Sequence, residues 1–241
     1  MRSVIVTGGS RGIGLSIAAR LAGSGYRAIA VARHQTEALS AAAEAAGRGA
    51  LVFRPFDLSD TGNIPGFARA LAKEFGPVYG LVNNAAIGIS GVLASTQNAA
   101  IERAIRLNTL SPILLSKYVV RAMMAAGEGR IVNVASIVGA TGFSGLSVYG
   151  ATKAAMVGFT RSLARELGAL NITVNAIAPG FVDTQMTASL SEEQRAQVVR
   201  RSALRRLAGA EDVASAVEFL FSDKASNITG TVLTVDAGST A

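Results

Sequence analysis

SVIVTGGSRGIGLSIAARLAGSG, residues 3–25, decides the fold. It begins with a short apolar run too short for a helix and rich in Val and Ile, which reads as a strand. A glycine-rich turn follows, and then an apolar segment of helical spacing, LSIAARLAGSG (15–25). Strand, glycine turn and helix together form the opening unit of a parallel α/β sheet. Gly8, Gly12 and Gly14 allow a tight turn and a close approach of backbone to ligand, with Ser10, Arg11 and Ile13 between them. The helix N-terminus behind the turn offers N–H groups and a positive dipole to a pyrophosphate. A glycine turn at such a junction can also be purely structural.

The same unit recurs along the chain. Strands are expected at 3–8, 27–32, 50–57, 78–85, 130–136, 172–180 and 231–238, with Ala- and Leu-rich helical segments between them. Most of these runs are apolar on both sides of the alternation, as strands buried on both faces must be. The expectation is one α/β domain over residues 1–241, a Rossmann-type doubly wound parallel sheet of about seven strands with helices on both faces. Residues 37–46 read as a surface helix, and 181–207 as an insertion before the last helix.

Bulk composition narrows the function classes. Of 241 residues, 50% are apolar and 16% are charged, enough for a large core and too apolar for disorder. There is no cysteine, which excludes disulfides, thiolate metal sites and a cysteine nucleophile. The lone histidine, His34, has no partners for a metal site and reads as a solvated neighbour of the nucleotide pocket. No metal is expected. The early VIV run is too short for a signal peptide, and no apolar stretch is long enough to cross a bilayer, so a cytoplasmic protein without membrane association is expected. Net charge is +7, with a local cluster of Arg195, Arg200, Arg201, Arg205 and Arg206 beside Glu192 and Glu193. Aromatic residues do not interleave with the basic ones and no nucleic-acid signature is present, so the charge points to anionic small molecules rather than nucleic acid.

The second strand ends VARHQ, with Arg33 where an acidic residue would hold the ribose hydroxyls of NAD. Arg33 and Arg11 together suit the 2′-phosphate of NADPH, a doubly charged acceptor that guanidinium grips in bidentate fashion. Their bland alternative is a pair of solvated surface arginines. The third strand ends FDLSD: Asp57 can accept from an adenine amino group with Leu58 against the ring, while Ser59 or Asp60 can N-cap the next helix.

Tyr149 and Lys153, in VYGATKAAMVGF (148–159), stand one helical turn apart and face the same way. Ser136 ends the fifth strand at the carboxyl edge, where α/β ligands bind. Asn108 lies in a helix between, and NNAA (83–86) ends the fourth strand at that same edge.

In this order and spacing, TGGSRGIG, NNAA, LNTLSP with Asn108, VASIVG with Ser136, YGATK with Tyr149 and Lys153, and APGFVDT with Pro179, Gly180, Val182 and Thr184 resemble the short-chain dehydrogenase/reductase family over essentially the whole chain. Within it, the chain is most similar to 3-oxoacyl-acyl-carrier-protein reductases. The resemblance implies NADP(H), held by the glycine-loop residues, Arg33, Asp57, Leu58, Asn84, Ala85, Tyr149, Lys153, Pro179, Gly180, Val182 and Thr184. It implies a catalytic set of Asn108, Ser136, Tyr149 and Lys153. A phenol of pKa about 10 is a poor acid–base group near neutrality. A lysine ammonium one turn away, with the positive nicotinamide of the oxidised cofactor, is expected to lower it. The resemblance further gives Lys153 the nicotinamide ribose, Ser136 the substrate oxygen, and Asn108 a water that relays protons.

The implied reaction is NADPH-dependent reduction of a 3-oxoacyl thioester, on acyl carrier protein or coenzyme A, in fatty acid synthesis. Another ketone reduced by the same mechanism, and a non-catalytic nucleotide-binding protein, remain as alternatives. Residues 181–207 would be a substrate lid of two short amphipathic helices, its arginines facing an acidic carrier or solvent. Where carrier-protein reductases often place basic residues, this chain has Leu170 and Gly127-Glu128-Gly129, with Arg121, Arg130, Arg161 and Arg165 nearby in sequence. The apolar segments 98–126 and 148–169 suggest pairing with copies of the chain, and the resemblance implies a homotetramer.

Overall fold

A computed structural model of the chain describes residues 1–47, 49–182 and 192–241. Seven strands form one parallel sheet: β1 (Ser3–Thr7), β2 (Arg27–Ala32), β3 (Leu51–Pro55), β4 (Val78–Asn83), β5 (Gly129–Val134), β6 (Ile172–Pro179) and β7 (Val232–Val235). Their order is β3-β2-β1-β4-β5-β6-β7. The chain winds outward from β1 through β2 to β3, then returns to the other side of β1 to build β4 onward. The order therefore reverses between β1 and β4, and a crevice opens at their carboxyl ends, where such sheets bind ligands.

The alternation of side chains along each strand feeds two cores. Val4 and Val6 of β1 and Ala28 and Ala30 of β2 face one layer, packed by α1 (Gly12–Gly23), α2 (Glu37–Ala45) and α9 (Ala210–Phe221). Ile5, Ile29 and Val31 face the other, packed by α3 (Ile64–Phe75), α5 (Ser111–Ala126) and α7 (Ser147–Leu167). Five of the seven strands read nearly or fully buried along their whole length, the condition that requires near-continuous apolar runs. The seven expected strands are all present, each end within about two or three residues of its expected place.

One local expectation needs correction. Helix α3 starts at Ile64 with Asn63 at its N-cap, so neither Ser59 nor Asp60 caps it. Those residues build a turn instead: Asp57 Oδ1 accepts from the Ser59 N–H (2.8 Å) and hydroxyl (2.7 Å), and Asp60 accepts from Asn63 Nδ2. Pro65, in the first turn of α3, suits a position where a missing N–H costs nothing. In the segment 98–126, α4 (Asn98–Ile105) passes through a π-helical turn, Arg106–Leu110, before α5 begins. In the 181–207 segment the described part carries the helix α8 (Glu192–Arg201); residues 183–191 of the expected lid, including Thr184, lie outside the described residues.

Candidate active site

The glycine turn is built by close approach. Gly8 and Gly12 have φ of 66° and 53°, the left-handed region that favours glycine. A Cβ on Gly14 would sit 2.2 Å from the Gly8 carbonyl oxygen and 2.5 Å from Asn84 Nδ2, so α1 can start this tightly under the turn only with glycine there. The turn is pinned from below: the Gly8 N–H donates to the Val31 carbonyl at 2.8 Å. Thr7, buried at the end of β1, accepts through its hydroxyl from the N–H groups of Asn84 (2.9 Å) and Ala85 (3.0 Å). Asn84 Nδ2 returns a bond to the Thr7 carbonyl at 2.8 Å. The two strand ends flanking the crevice are thus locked together by one threonine and one asparagine.

Thr36 locks the turn from the side. Its hydroxyl donates to the Ser10 carbonyl at 2.6 Å and accepts from the Leu39 N–H at 3.2 Å, capping α2 while holding the glycine turn. At the start of α1, Arg11 provides no side-chain cap. A helix N-terminus with glycines at its mouth and no side chain capping its N–H groups is the donor set a pyrophosphate needs, and the residues present fit a dinucleotide. Arg11 and Arg33 are both exposed at this rim. The Asp57 carboxyl is held below the usual carboxylate range, first by the Ser59 hydroxyl and N–H and further by the Arg33 charge, which puts Arg33 beside Asp57. Leu58 is buried in the α3/α5 core.

On the other side of the crevice, β5 ends at Val134 and the chain turns at Ser136 into α6 (Val138–Thr141). The Ile137 N–H donates to the Pro179 carbonyl at 3.1 Å, and the Gly180 N–H to the Val235 carbonyl at 3.0 Å, bringing the ends of β5, β6 and β7 to one level. Val182 is buried and bridges to Ala208. Helix α7 lies against α6 closely enough that a Cβ on Gly139 would meet the Ala154 nitrogen at 2.9 Å. This approach brings the Tyr149 phenol next to Ser136, close enough for that hydroxyl to bias its ionisation, while Ser136 Oγ accepts from the Val138 N–H at 3.3 Å. Lys153 is buried, its ammonium 5.6 Å from the Tyr149 ring centre, and it donates to the Val134 carbonyl at 2.7 Å. Ser136, Tyr149 and Lys153 thus form one contiguous cluster.

Asn108 is buried in the π-helical turn, a feature found disproportionately at functional sites. Its Nδ2 donates to the Ile87 carbonyl (2.9 Å) and to Thr152 Oγ1 (3.2 Å), and its Oδ1 accepts from the Ile87 N–H at 2.9 Å. Both amide protons are therefore committed. Thr152 in turn donates to the Tyr149 carbonyl at 2.7 Å, tying Asn108 to the turn of α7 that carries the phenol. Thr7, Thr36 and Thr152 were missed by the sequence reading. Thr7 and Thr152 had a signal, their places inside TGGSRGIG and YGATK.

In the nucleotide-free chain burial pushes the Tyr149 phenol above its ordinary value, and the neighbouring Ser136 hydroxyl only partly offsets this. Burial also pushes Lys153 down, to about 8. Two groups desolvated together each resist ionisation. Arg130 is also reassigned: it is buried at the amino-terminal end of β5, donating to the Gly129 carbonyl, on the sheet edge opposite Ser136. Glu128 pairs there with Arg2 at 2.7 Å. Among the described residues no helix is long and apolar enough to cross a membrane, and no cluster of possible metal ligands occurs.

The crevice at the sheet reversal, the glycine turn and the Ser–Tyr–Lys cluster define a nucleotide-dependent oxidoreductase. The family profile described as enoyl-(acyl carrier protein) reductase matches residues 8–240. The 3-oxoacyl-acyl-carrier-protein reductase FabG of Escherichia coli (strain K12) is 41% identical over 236 residues, covering 97% of this chain and 95% of that protein. The Pseudomonas aeruginosa protein of the same name is 39% identical over 238 residues, again with 97% and 95% covered. A solved Serratia marcescens short-chain dehydrogenase/reductase mutant superposes with a TM-score of 0.92 at 32% identity, covering 100% of this chain and 98% of its own. The chain belongs to the short-chain dehydrogenase/reductase family, a family of oxidoreductases that use a nicotinamide cofactor.

Proposed function

We propose that the protein reduces a 3-oxoacyl thioester to the 3-hydroxyacyl form with NADPH; its relatives are named as 3-oxoacyl-acyl-carrier-protein reductases. The observation that carries the reading is the contact of Ser136 with Tyr149 beside buried Lys153. Two hydroxyl groups side by side offer two hydrogen bonds to one carbonyl oxygen, with Tyr149 giving its proton as that oxygen becomes an alkoxide.

The glycine turn, Asn84 and Ala85, and Pro179 to Val182 would hold the cofactor, with Lys153 at the nicotinamide ribose and Thr184 as a further contact. The bound nicotinamide supplies hydride to the carbonyl carbon. Ser136 orients the oxygen. Tyr149 remains protonated at neutral pH, since burial raises its pKa, and so stands ready as the acid. The proton it gives returns through Lys153, which exchanges protons near neutrality, and through water held by Asn108. With both amide protons of Asn108 committed, that water is left to its main chain or to the remaining Oδ1 lone pair. Pro112, four residues on, has no N–H to give the Asn108 carbonyl in α-helical register.

NADPH preference rests on Arg11 and Arg33 and on the missing acid after β2. One domain working in the cytoplasm as a homotetramer completes the reading. Carrier-protein docking has its support in the exposed arginines around α8 rather than in Arg130, which is buried. The test is NADPH consumption with acetoacetyl-CoA. Turnover supports the thioester reading; reduction of a simple ketone, with no thioester reduced, replaces it by the same mechanism on another substrate.

A further inference from the structure

The loop between Ser136 and Tyr149 presents an aromatic ring that the chemistry above does not use. Its two glycines, Gly142 and Gly145, have φ of 70° and 78° and turn the chain outward around Phe143. Phe143 is 46% exposed, unusual for a large apolar side chain on a loop that lies between two catalytic groups. Its main aromatic partner is Phe181, edge-on at 5.5 Å between ring centres and 61° between planes. Phe181 follows Gly180 directly, so the pair bridges the loop after β5 and the loop after β6. Both loops leave the sheet at the level of Ser136, because the Ile137 N–H is bonded to the Pro179 carbonyl.

A third loop, after β4, joins the same rim. The Gly91 N–H donates to the Gly145 carbonyl at 2.9 Å. The two residues after Gly91, Val92 and Leu93, are 70% and 57% exposed. Gly91 and Val92 also line a surface cavity of about 310 Å³, whose other walls include Ile89, Ala100, Ser95 and Thr96. None of the side chains lining the cavity carries a charge. The rim on this side therefore carries no charge and exposes the apolar side chains of Val92, Leu93 and Phe143, whereas the arginines stand at the nucleotide rim and on α8.

We infer that Phe143, backed by Phe181, is a specificity-determining residue that receives the alkyl chain of the substrate, and that the enzyme takes 3-oxoacyl thioesters with chains longer than acetoacetyl in preference to acetoacetyl itself. This rests on the thioester reading above. An alkyl chain laid on the Phe143 face covers a ring that is otherwise wet. It then runs past Gly145 and Gly91 toward the neutral cavity, where no buried charge opposes it. Polar or anionic ketones gain nothing from that surface. Because the contact lies away from the reacting carbonyl, it acts on binding more than on the chemical step.

The experiment compares kcat/KM for acetoacetyl-CoA and 3-oxodecanoyl-CoA, with NADPH, in the wild type, Phe143→Ala and Phe143→Leu. The long-to-short ratio exceeds one in the wild type. It falls on the order of tenfold in Phe143→Ala, chiefly through KM for the long substrate. Phe143→Leu, which keeps an apolar side chain, retains most of the ratio. A ratio unchanged by Phe143→Ala, or a loss equal for both substrates, overturns the assignment of Phe143 while leaving the thioester reading intact. A wild type that reduces neither thioester but does reduce another ketone overturns the thioester reading itself, and the alkyl assignment with it.

Discussion

Replacing Lys153 with Met separates what the lysine does for the reaction from what it does to the fold. Burial pushes the Lys153 ammonium from 10.5 down to about 8. At ~1.4 kcal/mol per tenfold change, keeping it charged in the folded protein costs roughly 3 kcal/mol near neutrality. Methionine has similar length and no charge, so the substitution removes that cost. Against this, the Val134 carbonyl loses its 2.7 Å donor, a penalty of about 1–2 kcal/mol for a buried acceptor. The nucleotide-free variant should therefore be more stable than the wild type by about 1–2 kcal/mol at neutral pH. The advantage has a defined pH dependence. Below about 8 the lysine is charged in both folded and unfolded chains and the cost is fully present. From about 8 to 10.5 the unfolded chain binds the proton and the folded chain does not, so wild-type stability rises relative to the variant. Urea unfolding of both proteins without nucleotide, across that range, reads the difference. Meanwhile NADPH affinity and turnover of the variant should both fall. A variant less stable than the wild type at neutral pH, or a difference constant with pH, refutes the reasoning.

Removing both Arg11 and Arg33 should weaken NADPH by about 1–3 kcal/mol while NADH affinity changes little, since only the 2′-phosphate loses partners. Fluorescence titration measures both, and tighter NADH than NADPH binding by the wild type would refute the preference. Gly14→Ala puts a methyl group into the Gly8 carbonyl and Asn84. It should cost about 1–3 kcal/mol of stability and most of the nucleotide affinity, and an unchanged Tm with normal binding would contradict the close-approach argument. Ile105, Leu110 and Met124 are exposed on the α4–α5 segment, as a face covered by another copy would require. Sedimentation should give four chains, and a single-chain mass at micromolar concentration would refute the assembly.

The sheet was legible because a strand buried on both faces has little choice: β1, β2 and β4 to β6 are runs dominated by Val, Ile, Ala and Leu. The site was legible because its residues sit at strand ends or one helical turn apart, positions set by backbone geometry. What did not read out depends on side-chain bonding across distant segments. The DLSD turn closes on itself through Asp57 and Ser59 and delays α3, although Ser59 and Asp60 suit a cap equally well by residue type. The π-helical turn at Asn108 needs its bonds to Ile87 and Thr152, which lie 21 and 44 residues away. The phenol's raised pKa also follows from burial, which no spacing reports.

The central claim is that the Tyr149 hydroxyl, and not merely its ring, delivers the proton. Tyr149→Phe keeps the ring and deletes the hydroxyl, leaving Lys153, the glycine turn and the Thr152 link in place. The measurement is single-turnover reduction of acetoacetyl-CoA, or of whichever ketone the wild type reduces, at saturating NADPH. Rates should fall by roughly two to four orders of magnitude, the usual worth of a positioned acid, while NADPH affinity stays nearly intact. A Tyr149→Phe enzyme that turns over at the wild-type rate contradicts the account.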